Sequence, residues 1–314
     1  FAATQDVAID SLAVNTLRDD ERGLANGLMF AGQYIGNAAG GAGVLLLTPH
    51  LGFRTTFLIV AAAIALVTLL VPGPMREAAG PPRAGRAGAP YRAVLVEILH
   101  FARDAGRAFM GSRRAFLAIF LALLPMGAYA LSLALQSNLA VELGMTDTEI
   151  GILGLWSTAL SAGFCVLGGW LSDRFGRRRT LALFVAGTTL PTFAMALAMQ
   201  HYGWILPVDP NLPGRPAVPH ELVHLFWMLT LAYAVFQGLM YGVGTAIYMD
   251  VTTPAVAATQ FTAYMALCNL VYSYSAGWQG QSLVRWGYPA TLALDGAFGL
   301  VSLVLLPFMG RPRR

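Results

Sequence analysis

Charged residues fall in short clusters along the chain, separated by long runs without charge. Residues 23–53, 55–75, 115–141, 150–172, 180–200, 225–249 and 251–284 carry none, and residues 286–310 carry only Asp295. A helix needs about 20 apolar residues to cross a hydrocarbon core. In lipid every backbone N–H and C=O must be satisfied within the protein, so such runs form helices. Their Ala/Leu/Gly content lacks the strict alternation of a membrane β-barrel. The pattern predicts an all-α polytopic membrane protein with helices over residues 1–17, 24–47, 54–72, 115–137, 149–171, 180–199, 223–249, 259–283 and 287–309. Pro125 and Pro191 are expected to kink the helices that contain them.

The connections are patterned too. Residues 73–90 are rich in Gly, Pro, Ala and Arg and read as a linker. Residues 91–110 mix Leu95, Ile98, Leu99, Phe101 and Phe109 with Arg92, Arg103 and Arg107, the pattern of a helix lying on a membrane surface. Residues 200–221 hold five prolines and read as an external loop.

Composition sharpens this picture. Of 314 residues, 56% are hydrophobic and 11% charged, with a mean hydropathy of +0.60. A soluble domain carries about 25% charged residues. All 20 basic residues are Arg, which removes any chemistry that needs a lysine, such as a phosphate-binding loop or a Schiff base. Cys165 and Cys268 lie in apolar runs and offer no disulfide framework or metal site. His50, His201, His220 and His224 lie in or near external loops without metal-ligand spacing, and no nucleophile triad is visible. Neither an enzyme nor a cofactor or metal site is expected. On the alternating sides set by the helices, 17 Arg fall on one side, while Arg54, Arg215 and Arg285 fall on the other. The first side is therefore cytoplasmic, and residues 73–114, 173–179 and 311–314 belong to it. The basic pI of 9.3 is a topology signal, and nucleic acid is not an expected partner.

The two parts of the chain resemble each other. Leu51-Gly52-Phe53 matches Trp286-Gly287-Tyr288 at an offset of 235, and Pro72 matches Pro307 at the same offset. Asp10 matches Asp250 at an offset of 240. Between two apolar runs stands Gly169-Trp170-Leu171-Ser172-Asp173-Arg174-Phe175-Gly176-Arg177-Arg178-Arg179. It fits G-x-x-x-D-[RK]-x-G-x-[RK]-[RK] and resembles the signature loop of the major facilitator superfamily. That resemblance implies parallel six-helix repeats. The helices here would hold places four to twelve of twelve, with three more expected ahead of Phe1. Residues 1–72 would be the remainder of the first half, 73–114 a cytoplasmic linker with a surface helix, and 115–314 the second half. The signature residues Gly169, Asp173, Arg174, Gly176, Arg178 and Arg179 have readable physical roles. Gly169 permits close helix approach. Asp173 suits pairing with Arg or a seat at a neighbouring helix N-terminus. Gly176 allows a tight turn, and the Arg cluster suits cytoplasm and anionic lipid.

A narrower resemblance lies at the start. Ala3-Thr4-Gln5-Asp6-Val7-Ala8-Ile9-Asp10 is similar to the motif A-T-Q-D-[IV]-x-x-D of AmpG-type muropeptide permeases and acetyl-CoA transporters. Asp20-Glu21-Arg22-Gly23, Ala257-Ala258-Thr259-Gln260-Phe261 and Ala276-Gly277-Trp278 extend it. The likeness implies proton-coupled uptake of anhydromuropeptide-like fragments across a bacterial inner membrane by a monomer. A transporter of acetyl-CoA or another bulky solute, and a non-transporting sensor, are the alternatives. The Arg-rich loop departs from the typical AmpG pattern and points to a divergent branch.

Asp6 and Asp10 are one helical turn apart and share a face. At 1.5 Å per residue they lie about 18 and 12 Å inside Arg18, where a charge costs roughly 3 kcal/mol. Two acids so close repel, and a carboxyl that is sometimes neutral is what proton coupling requires; structural pairing is the other reading, Asp10 suiting it more. Polar stripes complete the candidate cavity: Gln5, then Gln33 and Asn37 with Asn26, then Tyr129 and Gln136 with Ser132. Tyr233, Gln237 and Tyr241 with Thr245 and Tyr248 follow, then Asn269 with Tyr272 and Ser273. Such faces either line an aqueous cavity or bond helix to helix. Gly32, Gly36 and Gly40 form a small-residue face suited to helix packing. Asp295 suggests pairing or a structural role.

Overall fold

The computed structural model describes residues 2–71, 73–74, 91–209, 214 and 217–309. Most of the 73–90 linker, Arg215, part of the Pro-rich loop and the terminal Arg311, Arg313 and Arg314 lie outside them. So do the side chains of Gln5 and Asp6. Among the described residues every regular element is helical. The chain runs α1 Ala2–Thr16, α2 Arg22–Ala38, a π segment Ala39–Gly43, α3 Val44–Leu51, α4 Phe53–Leu70, α5 Tyr91–Met110, α6 Arg113–Leu123 and α7 Ala134–Glu142. It continues as α8 Asp147–Phe175, α9 Arg177–His201, α10 His220–Val251 and α11 Ala257–Val301, closing with two short 3-10 turns.

Local signals explain the boundaries. Thr146 and Glu149 form a reciprocal capping box at the start of α8. Ser112 accepts the Ala115 N–H at the start of α6. Gly287, at φ 77°, breaks α11 into two arms at the expected boundary between the last two helices. The helix expected over 24–47 is α2, the π segment and α3 in succession, the π turn falling in Ala39-Gly40-Gly41-Ala42-Gly43. Residues 91–110, expected as a helix on the membrane surface, form α5, Tyr91–Met110.

The helix expected over 115–137 is corrected. It is broken, not kinked: α6 stops at Leu123 and α7 starts at Ala134. Pro125 has no N–H to give, Gly127 sits at φ 91°, and neighbouring helices capture the freed backbone groups. By contrast α9 passes through Pro191 without a break. Among the described residues five helices are long and apolar enough to cross a membrane: Phe53–Leu70, Asp147–Phe175, Arg177–His201, His220–Val251 and the two-armed Ala257–Met309. The protein is an integral membrane protein.

Two compact units divide the chain, one of residues 1–34 and 104–314, the other of residues 35–103. In the smaller, α3 packs on α4 across Gly52, whose carbonyl accepts the Thr56 hydroxyl. Leu58, Val67, Leu69 and Leu70 of α4 stay exposed, a surface that lipid solvates. In the larger, α8, α9, α10 and α11 form the bundle, with α1 and α6 against α11. Its core is two buried clusters toward opposite helix ends, one around Leu121, Leu181, Val243 and Tyr264, the other around Leu139, Leu153, Met195 and Phe226.

Glycine sets the closest contact. A Cβ on Gly168 would lie 2.7 Å from Leu239 Cα, and one on Gly238 2.8 Å from Ser161 Cα. A Cβ at Gly32, Gly36 or Gly40 meets nothing within 4 Å among the described residues.

Candidate functional site

The signature loop folds as the turn between α8 and α9. Gly176 closes α8 at φ 92°, a conformation that favours glycine, and α9 begins at Arg177. The turn points Asp173 at the first turn of α2. Its Oδ1 accepts the Gly23 N–H at 3.0 Å, and its Oδ2 accepts the Leu24 N–H at 2.8 Å. These are N–H groups that the helix itself leaves unpaired, at the positive end of its dipole. Both seats foreseen for Asp173 are filled at once, because Arg177 also donates to its Oδ1 at 3.1 Å.

The cluster continues through Asp250, at the end of α10. Arg177 pairs with it and also bonds the Asp19 carbonyl. Arg22 reaches Asp250 at 3.3 Å and Asp19 at 2.7 Å. Arg22, Asp173, Arg177 and Asp250 are 11–20% exposed, so solvent screens them only in part. Gly169 allows this approach: a Cβ there would lie 3.1 Å from Leu24 Cα. Deeper in, the Asn26 amide donates to the Tyr241 and Gly242 carbonyls at 2.8 and 2.9 Å and accepts from Thr245. A cavity of ≈ 660 Å³ opens beside the cluster, with Asp19, Arg114, Arg177, Arg178 and Asp250 in its wall.

Sequence reasoning missed part of this. Arg177 occupies an unspecified position of the motif, yet it makes the pairs. Its spacing of four from Asp173 was the available signal. In sequence Arg22 marks topology and belongs to a family-like stretch, and Asp250 is a repeat match; neither is legible there as an ion-pair partner. Arg174 instead lies over the Trp170 and Phe175 rings at 5.5 and 5.8 Å. Arg178 is half-buried and Arg179 exposed.

A second constellation is aromatic. Tyr129, in the broken helix, packs on Tyr272 of α11 at 4.9 Å between ring centroids, and the Tyr272 hydroxyl bonds that of Tyr241. Tyr241 stacks on Phe30 of α2 at 5.2 Å and meets Tyr34 edge-on at 6.4 Å. Tyr233 donates to the Ala128 carbonyl at 2.6 Å and shares bonds with Ser132 and Gln237. The structure thus brings together Tyr129, Tyr233, Gln237 and Tyr241. Phe30, Tyr34 and Tyr272 join them. Gln33, Asn37 and Asn269 are exposed, and Gln136 is half-buried at the start of α7. Tyr248 belongs to the core, stacked on Tyr264 at 5.3 Å. Asp10 is buried at 6% exposure on α1. Asp295 is structural in its contacts, accepting from Tyr129 N, Ala130 N and Gln279.

The larger unit is thus a helical membrane bundle with a charge-paired turn at one end and a polar aromatic cluster inside. The chain belongs to the Major Facilitator Superfamily, whose profile matches residues 115–314. A protein of Bos taurus, "Solute carrier family 2, facilitated glucose transporter member 8", is 27% identical over 218 residues, covering 65% of this chain and 40% of its own length. The "Cis,cis-muconate transport protein" of Acinetobacter baylyi is 36% identical over 87 residues, covering 27% of this chain and 21% of its own. The chain therefore matches less than half the length of either relative.

Proposed function

We propose that this chain moves a solute across a membrane by alternating access, with the Asp173 cluster as a gate on the cytoplasmic side. The observation that carries this reading is the seating of Asp173 on the α2 N-terminus, about 150 residues away in sequence. Its bonds and those of Arg22, Arg177 and Asp250 are polar and lie at a helix end, where water replaces them when the elements part. Charge-assisted bonds contribute about 1.5–3 kcal/mol each, enough to bias two states without locking one.

The tyrosine cluster is the proposed solute site, with Gln33, Gln136 and Asn269 as further candidates from the polar stripes. Hydroxyl and amide groups on aromatic walls suit a sugar-bearing or peptide-bearing solute. The sequence resemblance supports an anhydromuropeptide-like fragment. The buried Asp10 and the neighbouring Asp6 support proton coupling. Residues 1–72 and 115–314 as parts of two repeated halves joined by 73–114, a monomeric state and a bacterial inner membrane complete the reading. A second reading, a smaller solute, is favoured by the glucose and muconate named in the two relatives.

The test is uptake into proteoliposomes of radiolabelled anhydromuropeptide, glucose and cis,cis-muconate under an imposed pH gradient. The proposal expects the first to accumulate and Asp6→Asn to abolish that accumulation while sparing exchange. Accumulation of glucose or muconate alone selects the second reading. Saturable binding without uptake of any solute contradicts transport and leaves a sensor.

A further inference from the structure

Residues 124–133 belong to no helix between α6 and α7; Ser132 and Leu133 turn back to donate to the Tyr129 carbonyl at 3.0 and 3.1 Å, and Met126, Ala128, Tyr129, Ala130 and Leu131 are buried there. Backbone at membrane depth must find partners inside the protein. Here the partners come from α9 and from the second arm of α11. Gly127 donates to the Gly299 carbonyl at 3.1 Å, and Ala128 to the Thr188 hydroxyl of α9 at 3.1 Å. Tyr129 and Ala130 both donate to one oxygen of Asp295, at 2.7 and 2.8 Å. The other oxygen accepts from Gln279 at 2.7 Å, and Asp295 is 3% exposed.

We propose that Asp295, on the second arm of α11, is a positioning residue for the solute site. Its carboxylate pins the unwound turn and so fixes Tyr129 against Tyr272. This rests on the tyrosine cluster being that site. Two features point beyond generic helix adhesion. A charge at this depth is costly, and one neutral hydrogen bond suffices to join two helices. Three donors from two elements converge on this carboxylate, and two of them are the consecutive N–H groups at and after Tyr129. The remaining members of the turn, Gly127 and Ala128, have separate anchors. Loss of Asp295 therefore frees Tyr129 selectively and leaves the turn attached upstream.

The experiment is hydrogen exchange resolved to single amides on the chain in lipid nanodiscs, without any ligand. In the unaltered protein the amides of Tyr129 and Ala130 should exchange as slowly as helical amides of α9. In Asp295→Ala they should exchange at least about tenfold faster, with Gly127 and Ala128 unchanged. Asp295→Asn, whose carbonyl can still accept both N–H groups while Gln279 turns its amide, should restore the protection. Retained protection in Asp295→Ala, uniform loss across residues 127–130, or failure of Asn to restore it would each overturn the proposal. If Asp295→Ala does not fold, fast exchange at Tyr129 and Ala130 in the unaltered protein overturns it, and slow exchange supports it. Uptake by Tyr129→Phe tests the underlying site separately. Unchanged uptake of all three solutes would remove the functional half of the proposal while leaving the pin intact.

Discussion

Asp173 holds two N–H groups of α2 and one Arg of α9 with a single carboxylate. Asp173→Asn keeps the shape and one good acceptor but removes the charge. The expected result is a shift between states of about tenfold, read as slower uptake with solute binding within about threefold. Equal loss of both, at normal expression, would make Asp173 part of the binding site. Arg177→Leu leaves Asp250 half-buried with only Arg22, and breaking such a pair costs about 3 kcal/mol. A lower melting temperature in detergent should follow, and an unchanged one would show that the pair contributes little. At this scale the sequence was legible for Asp173 and Gly169, whose charge and size have few uses at the junction of two apolar runs. For Arg177 it was only half legible: the spacing of four from Asp173 allows that pair, but the partner Asp250, 73 residues away, is set by the fold.

Helix contacts show the same limit from another direction. Glycine marks where helices can approach but not where they do. Gly168 and Gly238 are filled by facing backbone, whereas Gly32 meets no atom within 4 Å of its Cβ position among the described residues. Gly168→Ala should destabilise the α8–α10 contact by about 1–3 kcal/mol through overpacking. Gly32→Ala should be neutral or stabilising by up to about 1 kcal/mol, since alanine favours helix. Thermal unfolding of the two variants side by side distinguishes them, and equal effects would contradict the packing described. Most helix positions were readable because an uncharged run in lipid has one secondary structure. The break after Leu123 was not, because Pro125 alone permits either a kink or a break. The choice is made by Thr188, Asp295 and Gly299, which lie about 60 to 170 residues further along.

For the whole molecule, the Arg asymmetry predicts a direction across the membrane. Phe175, in the signature turn, and Leu206, beyond α9, are both exposed and lie at opposite ends of that helix. Single cysteines at each, labelled from outside intact cells, should react at Leu206 and not at Phe175. The opposite pattern would invert the assignment of sides. The central claim is that the Asp173 cluster opens and closes. It is tested most directly by electron spin resonance distances between labels at Glu21, just ahead of α2, and Phe175, at the end of α8, in nanodiscs. The account predicts two distance populations in the unaltered protein and a shift toward the longer one in Asp173→Asn. A single distance, unmoved by that substitution, would contradict it.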